Sequence, residues 1–325
     1  MPTDRSGSIL FTPIKLGPLT IPNRFVRSAT HEFMAGEDGA VTPRLAALYR
    51  ELAEGEIGLL ITGHFNVLAE GKASPRQTGI FDDRFVSGLG TLPRAVHDFP
   101  TRIFAQLAHA GRQTKTKLIG GTPVAPSSVF EPTVKLMPRE AAPADIARII
   151  DGFVQGARRA REAGFDGVQL HAAHGYLLSA FLSPYTNRRT DDWGGSTEKR
   201  ARIVVEIIGR IKAREPLLPL IVKLNSDDFL EGGLRPVESI EIARLLEKAG
   251  LDGIEVSGGT AEAGRGSMWA GLRAEEDEGY FVPAAERIKA AVGIPVFGLG
   301  GNRTFAVLER FVRGGRVDLI SMSRP

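Results

Sequence analysis

The sequence predicts a (β/α)8 barrel, and three observations carry that expectation. Eight apolar runs have strand length and strand composition, amphipathic segments separate them, and no Gly-x-Gly-x-x-Gly turn follows the first run. Near-continuous apolar strands alternating with helices require a parallel sheet covered by those helices, and eight such units close most simply on themselves. The missing glycine fingerprint argues against a doubly wound dinucleotide-binding sheet.

The runs expected as strands are 24–30, 58–63, 102–108, 167–172, 218–226, 251–259, 294–301 and 317–323. Helices are expected at 42–56, 83–99, 143–164, 197–215, 236–250, 282–292 and 303–314, several opened by Thr, Pro or Asp. Gly164, Gly250, Gly293 and Gly315 each fall between a helix and the next strand, where a left-handed residue turns the chain back. Before the first strand, "ILFTPIKLGPLTIPN" reads as a β-hairpin around Gly17-Pro18 that caps the N-terminal end of the barrel. The chain reaches Pro325 before an eighth helix, so that helix is missing from this chain, and residues 1–325 read as one domain. Loops 110–142 and 173–196 exceed the usual length, which marks them as functional.

Composition narrows the chemistry. With 42% hydrophobic residues in 325, a large core is available. The formal charge of +3 is scattered, so no nucleic-acid partner is expected, while an anionic small molecule is compatible. These residues contain no cysteine, which excludes a thiolate metal site or cysteine nucleophile among them. No signal core and no bilayer-length apolar run occur, so a cytoplasmic protein acting on a small-molecule substrate, with no membrane partner, is expected; a homo-oligomer is compatible with the sequence.

Chemistry in such a barrel sits at the C-terminal ends of the strands. The polar residues expected there are Thr30, Gln106, His109, His171, His174, Lys223, Asn225 and Ser257. Gly300 and Gly301 follow the seventh strand, and Ser323 and Arg324 follow the eighth; loops at those two places form the usual phosphate site of this fold. Two imidazoles after the fourth strand, His171 and His174, could hold a metal or could donate to an oxygen that becomes negative. No H-E-x-x-H pattern and no carboxylate before Asp191 accompany them, which favours the oxyanion reading, and the nearby Tyr176 offers a proton.

These residues resemble the old yellow enzyme family of flavin-dependent ene-reductases. The string "HAAHGYLLSAFLSPYTNRRTDDWGGSTEKR" carries the resemblance, supported by "LFTPIKLGPLTIPNRFVRSAT", "FAQLAHAGRQ", "FGLGGNRT" and "SMSRP", which together span the chain. The resemblance implies FMN as cofactor and NADH or NADPH as reductant, with the FMN phosphate at Gly300, Gly301, Ser323 and Arg324. It further implies that Gln106 meets the flavin pyrimidine edge and Thr30 the region of O4. Gly63 would let the second strand pass beneath the ring. His171 and His174 would hold the substrate's activating oxygen, and Tyr176 would supply a proton. Asn187, Arg188, Arg189 and Asp191 would stabilise their loop.

Two departures stand out. Lys223 occupies the place where much of the family has arginine, and the first strand reads Ser28-Ala29-Thr30 where many relatives carry a proline-methionine pair before the threonine or cysteine. Both point towards the branch nearer dienoyl-CoA reductases and amine dehydrogenases, which is the alternative function. From a different class, a metal-dependent hydrolase or lyase barrel is the other alternative.

Overall fold

The computed structural model describes residues 7–264, 269 and 271–323. Eight parallel strands close into a barrel, as the alternation predicts. A hairpin comes first, β1 (Ile14–Leu16) and β2 (Leu19–Ile21), then barrel strand β3 (Phe25–Arg27) and helix α1 (Pro43–Glu54). Thr42 caps α1 by accepting a hydrogen bond from the Leu45 N–H, and Pro43 needs no partner in the first turn. Strand β4 (Leu59–Asn66) leads to short helices α2 (Val86–Leu89) and α3 (Thr91–Val96), then β5 (Arg102–Ala108). One helix over 83–99 was expected; Gly88, Gly90 and Pro93 divide it, since Pro93 lacks the N–H that would continue the helical ladder.

The loop after β5 holds α4 (Thr116–Ile119) and a small sheet of β6 (Val124–Ala125) and β7 (Arg139–Glu140), so it is less structureless than its sequence suggests. The chain continues through α5 (Pro143–Glu162), β8 (Gly167–Ala172), α6 (Leu177–Leu182), α7 (Thr197–Arg214), β9 (Leu220–Asn225), α8 (Pro236–Lys248) and β10 (Gly253–Ser257). It ends with α9 (Val282–Lys289), β11 (Val296–Gly298), α10 (Phe305–Arg313) and β12 (Leu319–Met322), which pairs with β3 and closes the barrel. Gly164 and Gly250 have φ of +93° and +102°, as their turns require, whereas Gly293 does not enter the left-handed region and instead donates its N–H to Glu247.

The inside of the barrel is layered. Leu59, Ile61, Phe104, Ile221, Phe297 and Leu319 form a dry layer that Leu16 and Ile21 of the hairpin plug from the N-terminal end. Advancing two residues along β5, β9 and β12 brings Gln106, Lys223 and Ser321 into the next inward positions. Outside, Ile146, Ile149, Ile150 and Phe153 of α5 are fully covered, each adding about 1.5–3 kcal/mol of burial. No helix among the described residues is long and apolar enough to cross a membrane.

Candidate active site

Above the dry layer lies a connected set of buried polar side chains. Gln106 donates to Gln169 at 2.7 Å, and Gln169 donates to Glu255 at 2.8 Å. The Lys223 ammonium stands 3.3 Å from the same Glu255 carboxylate and donates to the Ser28 hydroxyl at 2.7 Å. Parallel register brings these groups together, since Gln106 pairs with Gln169, and Lys223 with Glu255. One Glu255 oxygen, Oε1, is buried with no hydrogen-bond partner.

Lys223 also lines a cavity of about 600 Å³ at the C-terminal mouth of the barrel. Ala29, Thr30, His174, Gly300, Gly301 and Ser323 line it too, so it gathers residues from the first, fourth, fifth, seventh and eighth strand ends. At one end, Asn302 donates to the carbonyls of Gly298 and Ser321, tying the last two loops together. Gly301 has φ +68°, and a Cβ there would stand 2.3 Å from Leu272. The Ser321 hydroxyl beside it is buried without a partner. Arg324 lies outside the described residues.

These features fit FMN. The cavity has the volume of a cofactor site, a cation stands in its wall, and a glycine turn with an unpartnered hydroxyl lies at one end, where a phosphate would find donors. Ser28 and Gln106 do not line the cavity: Ser28 connects to it through Lys223, and Gln106 only through Gln169 and Glu255 to Lys223. At Gly63 a Cβ would lie 2.2 Å from Glu32 and 2.8 Å from the Thr30 carbonyl, so its missing side chain accommodates Glu32.

An imidazole cluster adjoins the cavity through His174, which lines it, whereas His171 and Tyr176 pack behind His174 and do not line it. The His171 and His174 rings meet edge to face, 5.2 Å apart at 88°. His171 Nδ1 accepts the Ala173 N–H, which leaves Nε2 to donate. His174 has a left-handed φ of +64°, fixed by its N–H to Asn225 and its Nε2 beside the Ser257 hydroxyl at 2.8 Å. Burial, then the nearby Lys223 charge, pushes His174 down to about 3. His171 lies well below its ordinary value for the same leading cause, so both rings are neutral donors at physiological pH. Tyr176 packs 4.8 Å from His171 by ring centroids, and burial raises its pKa, so it holds its proton.

Two further histidines complete the cluster and were not singled out in the sequence. His64 lies 5.4 Å from the Tyr176 ring and His31 4.6 Å from His64. Burial lowers them to about 3 and about 4. His64 follows an irregularity in the β4–β5 register after Ile61, a local feature with no sequence signal. His109 follows the C-terminal end of β5 but does not line the cavity; it packs against Gly71 with its Nδ1 accepting the Gly111 N–H. No three His, Cys, Asp or Glu side chains among the described residues are placed to share a metal ion.

The long loops support this arrangement. Arg189 donates to the carbonyls of Pro126 and Ala141 and pairs with Asp191, while Asn187 bonds the carbonyls of Phe181 and Trp193. The loop after β8 is thereby clamped to the loop after β5, which agrees with a structural role for these residues. On the opposite wall Trp269 stacks on Tyr280, with centroids 4.8 Å apart and planes within 7°.

Residues 9–325 match the sequence profile of the NADH:flavin oxidoreductase / NADH oxidase family. The sequence is 40% identical to NADH oxidase from Thermoanaerobacter brockii, over 97% of this chain and 48% of that protein. Among solved structures, a 2-naphthoyl-CoA reductase complex is similar at TM-score 0.92 and 31% identity, covering 98% of this chain and 50% of the other. An old yellow enzyme homologue from Zymomonas mobilis is similar at TM-score 0.84 and 29% identity, covering 97% and 88%. The chain therefore spans about half the length of the first two and most of the third.

Proposed function

The chain belongs to the NADH:flavin oxidoreductase / NADH oxidase family, and from that premise we propose that it reduces activated C=C bonds of α,β-unsaturated carbonyl or nitro compounds with NADH or NADPH. The observation that carries this reading is the convergence of two neutral imidazoles, a protonated phenol and a cation-bearing cavity at one barrel mouth. Bound FMN supplies hydride transfer between the nicotinamide and the alkene.

Lys223, Thr30, Gly300, Gly301, Ser323 and Arg324 would hold the cofactor, with its phosphate at the glycine turn. His171 and His174 donate hydrogen bonds to the activating oxygen, which grows more negative as the β-carbon gains hydride. Their neutrality suits this task, because a neutral donor stabilises the oxyanion without giving up its proton first. The Tyr176 O–H delivers its proton to the α-carbon, and solvent replaces it. His64 packs against Tyr176 and His31 against His64, and burial beside the phenol strengthens its interactions.

A second reading, reduction of an unsaturated acyl-CoA thioester, is favoured by the similarity to the 2-naphthoyl-CoA reductase complex at TM-score 0.92. Its thioester carbonyl would meet the same two histidines. Purified protein that is yellow, releases FMN on denaturation and converts cyclohex-2-enone to cyclohexanone with NADPH supports the primary reading. Turnover of enoyl thioesters alone would select the second, and colourless protein that takes up no FMN would refute both.

A further inference from the structure

Lys223 and Glu255 sit opposite one another on adjacent strands, their charged groups 3.3 Å apart and both nearly inaccessible. Burying such a pair is poor economy for stability, because lost hydration offsets the attraction. Here it is poorer still, since Glu255 Oε1 has no hydrogen-bond partner. If Lys223 served only to hold an anionic ligand, a carboxylate beside it would oppose that role. We propose that Glu255 is a counter-charge that sets the reduction potential of the FMN, by cancelling part of the field that Lys223 presents to the cavity.

The geometry supports a fixed setting. Gln169 donates to Glu255 Oε2 at 2.8 Å and is held by Gln106, so the oxygen that faces Lys223 is fixed in place. Lys223 spends one N–H on Ser28 and one on Glu255, leaving its third for the cavity it lines. Two-electron reduction places added negative charge on the flavin. A cation in the wall favours that state, and a carboxylate behind the cation disfavours it. The pair thus holds the potential below the value that Lys223 alone would give. Glu255 acts through Lys223 and is a positioning residue for its field.

The inference rests on the placement of FMN proposed above, and one set of potentials separates the two. Dye-equilibrated reductive titration of the FMN-loaded protein is the measurement. Glu255→Gln is expected to shift the two-electron equilibrium towards reduced flavin at least tenfold, equivalent to about 30 mV upward. Glu255→Asp, which keeps the charge, is expected within threefold of wild type. Lys223→Gln is expected at least tenfold in the opposite direction, and the double variant Lys223→Gln/Glu255→Gln, with the pair's net charge restored, within threefold of wild type.

If Glu255→Gln does not retain FMN, the comparison of Lys223→Gln with the double variant decides. A double variant no different from Lys223→Gln overturns the counter-charge role. So does an unchanged or lowered potential in Glu255→Gln, or an equal shift in the Asp and Gln variants, which would indicate packing. An unaltered potential in Lys223→Gln would instead remove the FMN placement on which the inference stands.

Discussion

The Ser257 hydroxyl, at the end of β10, lies 2.8 Å from Nε2 of His174, and this contact in the cavity wall fixes the direction of the imidazole. Because His174 sits in the left-handed region, its ring is aimed by its partners and not by a relaxed backbone. Ser257→Ala is expected to lower kcat/KM for an enone about fivefold, the equivalent of about 1 kcal/mol for one hydrogen bond. FMN content should stay unchanged. Steady-state kinetics on flavin-replete protein measures this, and an unaltered kcat/KM would show that His174 is aimed by the backbone alone.

Tyr176 has no hydroxyl partner among the described residues and keeps its proton. Tyr176→Phe is therefore expected to slow alkene reduction by about 10²–10⁴-fold, the range of a general acid, with flavin reduction by nicotinamide nearly intact. Nitroalkenes, whose carbanions persist long enough to meet solvent protons, should suffer less than enones. Stopped-flow traces of both half-reactions check this: equal losses in both would reassign Tyr176 to ligand positioning.

The buried histidines predict acid sensitivity. His64 and His109 are fully enclosed and pushed down to about 3, against an unfolded value near 6.5. Between those values the unfolded chain binds protons that the native state refuses, so stability is complete above about 6.5 and falls as the pH drops towards 3. Each such group contributes about 1.4 kcal/mol per pH unit in that window. Urea midpoints measured at pH 7.5 and 5.0 should fall accordingly, and His109→Gln, which lies away from the proposed site, should flatten the slope. Equal midpoints would mean that these rings are protonated in the folded protein.

Gly301 combines φ +68° with a Cβ position blocked by Leu272. Gly301→Ala is expected to cost about 1–2 kcal/mol in the turn that would hold the phosphate, and so to weaken FMN about tenfold. Fluorescence titration of the apoprotein reads the affinity. Wild-type affinity would place the phosphate elsewhere.

The strands and the hairpin plug were legible because a two-residue period and glycine turns are local signals. His171, His174 and Tyr176 were legible because they share one short segment. Glu255 and Gln169 were not, for each looks like an ordinary residue within an apolar strand. Only the parallel register sets Glu255 of β10 beside Lys223 of β9 and Gln169 of β8 beside Gln106 of β5, and register is decided by closure of the whole barrel. His64 escaped for a similar reason, since its place beside Tyr176 follows the irregularity in β4. That Gly63 in β4 also makes room for Glu32, from the loop after β3, is a long-range contact with no local sequence signal.

The most direct test of the central claim is an anaerobic single turnover. Protein reduced with one equivalent of NADPH, freed of nicotinamide and mixed with cyclohex-2-enone or a nitroalkene should recover its oxidised flavin spectrum with one equivalent of saturated product formed. Reduced protein that stays reduced in the presence of both alkenes, while still releasing FMN on denaturation, would contradict the assignment.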